Sequence, residues 1–230
     1  GANLVPFLIF TIIIMIFRQP TNSLIDGWAI AETAPLGISY ASVRMWGSIG
    51  FAIVSIVISA LMGMFMPLWG TFYIMPVLLV PLLILCFKSK ETRKVEPEEA
   101  VGTEKKEKPS FKLIFKNYYL IVYLIYSLGL NIYLSVTCMY MAYILEHVGI
   151  SASYIGTATG FRALVEVISM VTCTRLKGRV KYWQMLVFSG VLFGIEHLLY
   201  ASANSFIFIM ILMIPSGLAG GIQYSMAPSY

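Results

Sequence analysis

Charge is what this sequence has least of. Asp, Glu, Lys and Arg make up 12% of its 230 residues, against about a quarter in an ordinary soluble domain. With 59% hydrophobic residues and a mean hydropathy of +0.82, the chain cannot present a water-soluble surface. Cysteine is scarce too. Cys86, Cys138 and Cys173 are odd in number, never closely spaced, and each lies in or at the end of an apolar segment. That excludes a disulfide framework and a metal site and reads as free, buried thiols. No Walker loop is present, which excludes ATP-driven transport by this chain. Without Gly-x-Ser-x-Gly or His-Glu-x-x-His, an intramembrane hydrolase has no nucleophile and no metal. No basic n-region or small-residue cleavage site precedes the first apolar run, so no signal peptide is expected. The net charge of +5 has no folded basic domain behind it, so nucleic acid is not an expected partner. No cofactor and no enzyme activity are expected.

Long apolar runs are what is there. A membrane-spanning helix needs about 20 largely apolar residues. Seven segments qualify, roughly 3–30, 41–62, 67–87, 117–145, 152–173, 182–201 and 205–227. The first is interrupted by Arg18-Gln19-Pro20 and is expected to continue through Trp28 with a kink at Pro20, because membrane helices tolerate proline where neighbours re-satisfy the backbone. The chain is therefore an all-α integral membrane protein. Nine of the sixteen Lys and Arg fall between Lys88 and Lys116, and four more between Arg175 and Lys181. Basic loops beside apolar spans stay on the cytoplasmic side, so loops 88–116 and 174–181 are expected in the cytoplasm of a multi-pass protein of the cell (inner) membrane. Two helices separate them, which keeps the parity consistent. The hydrophilic loop divides the chain into 1–87, with three spans, and 117–230, with four. Phe111–Lys116 reads as a short amphipathic stretch at the interface. The chain starts almost inside one helix and stops just after another, as expected of a piece of a longer protein.

Helical spacing sorts the few polar residues onto faces. Arg18, Asn22 and Asp26 make one stripe on the first span. Arg44, Ser48, Ala52, Ser55 and Ser59 make another on the second, and Asn131, Ser135, Cys138 and Ala142 a third. Thr159, Arg162, Glu166, Ser169 and Cys173 line one face of the fifth, and Glu196-His197 sits in the sixth. A fixed charge facing lipid costs several kcal/mol, so intramembrane charges mark polar cavities. Small-residue stripes serve either close helix packing or a cavity wall. Arg162 and Glu166 form either a self-satisfied ion pair or a protonatable carboxylate beside a cation. His197 is either a hydrogen-bonded structural residue or a proton handler, its reference pKa being near neutrality. Trp46, Trp69 and Trp183, near helix ends, are interface anchors, although Trp46, so near Arg44, is also placed to stack on a sugar or base.

The run Tyr40-Ala-Ser-Val-Arg44-Met-Trp46-Gly-Ser48-Ile-Gly50-Phe-Ala52 resembles the start of the fifth helix in major facilitator transporters of the oligosaccharide and nucleoside proton-symporter type, the lactose-permease-like group. The loop Arg175-Leu-Lys177-Gly178-Arg179-Val-Lys181 looks like a degenerate copy of the superfamily's cytoplasmic gating motif, Asp-Arg-x-Gly-Arg-Arg, and segment 88–116 like its central loop. The resemblance implies helices four to ten of twelve, the remaining helices of the same polypeptide being its partners. It implies substrate binding by Arg44, with Asp26, eighteen residues earlier, as its ionic partner. Asn22, Trp46, Asn131 and Arg162 are the accompanying candidates.

The sequence also departs from the group. Its proton-carrying carboxylate and histidine on helix ten fall on Met213 and Met210, and its acidic sugar ligand on helix eight falls on Ala163. Glu166 stands where the group has a sugar-contacting amide. Proton coupling, if present, then passes to Glu166, with Glu196 or His197 in support. Together these residues read as a secondary transporter of a small polar solute, of the sugar or nucleoside class, coupled to protons and working by alternating access. The rival reading is a non-transporting solute sensor on the same scaffold.

Overall fold

The computed structural model describes residues 4–88, 117–176 and 178–226. Some side chains within those ranges, Arg18 and Asn22 among them, lie outside the described set, as do Lys177 and nearly all of the 88–116 loop with its Phe111–Lys116 stretch. Seven long helices follow one another among the described residues: α1 (Leu4–Thr33), α2 (Tyr40–Met64), α3 (Thr71–Lys88), α4 (Tyr118–His147), α5 (Ile155–Leu176), α6 (Tyr182–Tyr200) and α7 (Phe206–Met226). They match the seven apolar runs of the sequence. Five of them, α2 and α4 to α7, are by themselves long and apolar enough to cross a membrane, while α3 contributes the shorter apolar stretch Pro76–Lys88. Helix α1 runs unbroken through Pro20, and its 30 residues extend about 45 Å at 1.5 Å per residue.

One turn sets the position of Asp26. Between α1 and α2 the chain reverses through a short 3-10 turn, Ala34–Leu36, and Gly37 at φ 65°. Glycine occupies that left-handed region without a Cβ clash. Ser39 is then extended, and α2 starts at Tyr40. The reversal lays the last turns of α1 beside the first turns of α2, so Asp26 returns next to Tyr40.

Helix α5 is the spine. It packs on α2 on one side and on α7 on the other, and α6 packs on α7. Glycines set the spacing. A Cβ at Gly160 would sit 2.7 Å from Ile56 and 3.0 Å from the Ala52 carbonyl, and one at Gly156 would run into the Ser55 carbonyl. On the other side, a Cβ at Gly217 would lie 2.6 Å from the Arg162 carbonyl, and Gly221 presses on Ser169 in the same way. Small residues allow this backbone contact, which is how helices associate in lipid without a hydrophobic driving force. Hydroxyls stitch the same seams: Ser169 donates to the Leu218 carbonyl at 2.7 Å and Ser189 to the Ala219 carbonyl at 3.1 Å. At the α5 N-terminal end, Ser59 Oγ donates to the Ser153 carbonyl at 2.5 Å and lies 2.9 Å from Thr157 Oγ1.

Helix α4 closes on this core through Met141 and Leu145, which meet Ala158, Ile209 and Met213. Elsewhere α1, α3 and α4 leave their large apolar side chains exposed, Phe87 to 88% and Leu24 to 72%. In water such a surface would aggregate; in a bilayer it matches the acyl chains. No disulfide joins the three cysteines, and only Cys173 is buried. Cys86 and Cys138 are exposed on their apolar helices, which corrects the expectation of three buried thiols: a thiol is apolar enough to face lipid.

Candidate functional site

Tyr40, Arg44 and Ser48 fall four residues apart on α2 and so share one face. Each meets a polar group on another helix or on its own next turn. The Tyr40 hydroxyl donates to Asp26 Oδ1 on α1 at 2.7 Å. The Arg44 guanidinium lies over the Tyr224 ring of α7, 4.6 Å from its centroid, and Nη1 donates to Ser48 Oγ at 3.5 Å. Ser48, buried to 3% exposure, donates in turn to Glu166 Oε1 on α5 at 2.6 Å. Donor and acceptor roles agree: Ser48 spends its one proton on Glu166 and accepts from the arginine. The chain of contacts thus crosses from α1 through α2 to α5 and α7.

Asp26, Tyr40, Arg44 and Tyr224 line one cavity of about 450 Å³, whose remaining wall is Ile25, Ala29, Val43 and Gly47. A smaller cavity of about 180 Å³ shares Tyr40 and opens beside Cys173, Thr174 and Ser225. It lies at the end of the bundle where α1 turns into α2 and where α5 runs out toward the 174–181 loop.

Asp26 and Arg44 therefore line one cavity, but not as the ionic pair that the resemblance implies. Among the described residues no ion pair joins them, because Tyr40 takes the carboxylate. Arg162 and Glu166 are not an ion pair either. Both reach toward Gly220 of α7: a Cβ there would lie 3.1 Å from Glu166 Oε2 and 3.7 Å from Arg162 Nη2. The missing side chain is what leaves them room. Arg162 Nε is buried without a hydrogen-bond partner.

A second polar cluster lies one helix further on. Glu196 is completely buried and accepts from two tyrosines, Tyr133 Oη on α4 and Tyr200 Oη, the latter at 2.9 Å. Arg162 is within electrostatic reach of this cluster, and Ser216 faces it from α7. The His197 ring packs 4.8 Å from the Tyr133 ring, with Nδ1 buried and unpartnered.

The other candidates lie elsewhere. Trp46 is 67% exposed and turned away from the cavity. Two residues beyond Arg44, it is rotated by about 200° at 100° per residue. Asn131 is exposed on α4 and donates to the Ser127 carbonyl of its own helix at 2.8 Å. Arg175, Gly178 and Arg179 are exposed at the α5–α6 turn, where Gly178 has φ 85°. Asn22 and Lys177 lie outside the described set. Sequence reasoning missed Tyr40, Tyr224, Tyr133 and Tyr200 as ligands of the charged groups. The i, i+4 spacing of Tyr40 to Arg44 was an available signal, whereas nothing local to Tyr224 marks it.

A bundle of long apolar helices, seamed by glycine and holding charged groups around an open cavity, is the architecture of a membrane transporter. The MFS_1 like family matches residues 2–230, and the chain belongs to it; it is a member of the major facilitator superfamily, whose proteins are generally transporters. No curated protein and no solved structure matches it.

Proposed function

We propose that the protein is a secondary transporter of a small polar organic solute, of the sugar or nucleoside class, coupled to protons. The observation that carries this reading is the single cavity lined by Asp26 and Arg44, tied through Ser48 to Glu166. Solute entering beside Arg44 competes for the Nη1 donor that Ser48 now accepts. Its arrival is felt at Glu166 through one hydroxyl.

Helices α1 to α3 and α4 to α7 belong to the two halves in this reading. The Ser48–Glu166 bond is their contact at mid-span, and alternating access rocks one half on the other about it. Glu166 carries the coupled proton, while Glu196 and His197 hold the electrostatics around Arg162. The 88–116 and 174–181 loops face the cytoplasm, so the cavity opens on that side, and Arg175, Lys177, Gly178 and Arg179 gate it.

Arg44→Ala and Asp26→Ala in the intact protein are expected to abolish solute uptake into proteoliposomes while the protein still elutes as a single folded species. Wild-type uptake by both variants would remove the cavity from the transport path.

A further inference from the structure

The cavity beside Arg44 discriminates by charge. We propose that its solute is an organic anion, a small hydroxylated carboxylate of the sugar-acid type, with the carboxylate on Arg44 and the hydroxyl-bearing body against Asp26 and Tyr40. This assignment rests on the same cavity being the substrate site, and it narrows the class of solute bound there.

A guanidinium carries five N–H donors. Among the described residues Arg44 uses one of them, in a 3.5 Å bond at the long limit of hydrogen bonding. Its Cζ is held 4.6 Å from the centroid of the Tyr224 ring. The ring accepts none of the remaining N–H donors through a lone pair, and a guanidinium with donors to spare receives a carboxylate through two parallel bonds. Gly47 adds room beside those donors, since a Cβ there would lie 3.1 Å from Nη1.

The nearest acidic group in the cavity does not satisfy this cation. Asp26 Oδ1 accepts from Tyr40 instead. Glu166 is engaged by Ser48. Apart from Asp26 and the two tyrosines, the wall is made of apolar side chains and glycine, so a cation with free donors faces a poorly solvating wall. A neutral sugar offers it only hydroxyl oxygens. Of the rings nearby, Arg44 covers Tyr224, Trp46 points away, and Tyr40 is left with its hydroxyl tied to Asp26. A carboxylate instead supplies the missing countercharge and fills the fork.

Asp26 orients the solute. As a carboxylate it is an acceptor only, so it takes hydroxyl donors from the body of the molecule and repels the anionic end toward Arg44. The two charges thus read opposite ends of one ligand.

The experiment uses four probes on the intact purified protein: D-gluconate, D-glucuronate, and the amides of both, which keep the shape and lose the charge. Melting temperature and equilibrium binding are read for wild type, Arg44→Gln, Arg44→Lys and Asp26→Asn. The acids are expected to raise the melting temperature and the amides not to, with at least about a tenfold gap in Kd. Arg44→Gln loses acid binding, and Arg44→Lys, which keeps the charge without the fork, weakens it. Asp26→Asn weakens the hydroxyl contacts that acids and amides share and removes a charge that repels the acids alone, so the acid-to-amide gap is kept or widened. That ratio decides the matter if Arg44→Gln does not fold, since a site for a neutral sugar would show no gap in either protein. Equal binding of acids and amides, or a gap that narrows in Asp26→Asn, overturns the anion and leaves the transport site standing. No binding of either acid also overturns it, and wild-type uptake by Arg44→Ala would then remove the transport site as well.

Discussion

Glu166 and Glu196 are both carboxylates in apolar helices, and their neighbours give them different work. Glu196 is sealed off, with a tyrosine hydroxyl on each oxygen. Glu166 is reached by a hydroxyl from α2 on one oxygen, while the other stands beside the gap left by Gly220. Only Glu166 is in line with the cavity. Glu166→Gln is therefore expected to stop proton-driven accumulation while solute exchange across the membrane continues, as read by counterflow in proteoliposomes. Unchanged accumulation would exclude Glu166 as the carrier. Glu196→Gln should act on stability instead. An amide offers an acceptor oxygen on one side only, so a buried tyrosine hydroxyl loses its partner at a cost of about 1–3 kcal/mol. A lower melting temperature with an unchanged proton-to-solute ratio is the expected outcome. The polar stripes that carry Asp26 and Arg44 were legible in the sequence, and the resemblance joined them as a pair. What was not legible was the partner of each. Tyr40 and Tyr224 take over the roles that opposite charges would have taken, and aromatic hydroxyls and rings leave no charge pattern to read.

At the scale of the helix, glycine decides which faces meet. The seven apolar runs predict the seven helices to within a few residues, since run length and the turn residues between runs determine both. The same sequence left open whether a small-residue stripe packs or lines a cavity. That choice depends on which helix lies opposite, and periodicity says nothing about it. The structure assigns Gly156 and Gly160 to the α2 seam and Gly217 and Gly221 to the α7 seam, all from one or the other side of contacts with α5. Gly160→Val and Gly217→Val are expected to force those backbones apart and to cost about 1–3 kcal/mol by overpacking. The drop in melting temperature measures it. Gly50→Ala and Gly194→Ala, where nothing lies within 4 Å of the added Cβ, are the matched controls and should melt like wild type. Equal melting of all four would mean the seams have slack to absorb a side chain.

At the scale of the whole molecule, the α2–α5 seam is closed at one end and open at the other. Ser59, Ser153 and Thr157 fasten the end where α2 stops and α5 starts. The cavity and its smaller neighbour open toward the opposite end. A transporter that alternates must unfasten the first end when it closes the second. The double variant Ser59→Cys, Thr157→Cys places two thiols where the hydroxyls are now 2.9 Å apart. Oxidation is expected to arrest uptake and reduction to restore it, with each single variant remaining active. Uptake that survives complete cross-linking would show that this seam never opens.

The Ser48 hydroxyl has a further consequence, because it is a reversible wire with one proton in it. As it stands, that proton points at Glu166 and leaves Arg44 only the serine lone pairs. A protonated Glu166 becomes a donor itself, and with its O–H turned to Ser48 the hydrogen bond runs the other way. The serine proton is released to swing toward whatever rests on Arg44, and an anion there gains one more donor. Each ligand then improves the affinity for the other by the same factor, as linkage requires. A single hydroxyl would be enough to make anion and proton travel together, with no charge moving between the two sites.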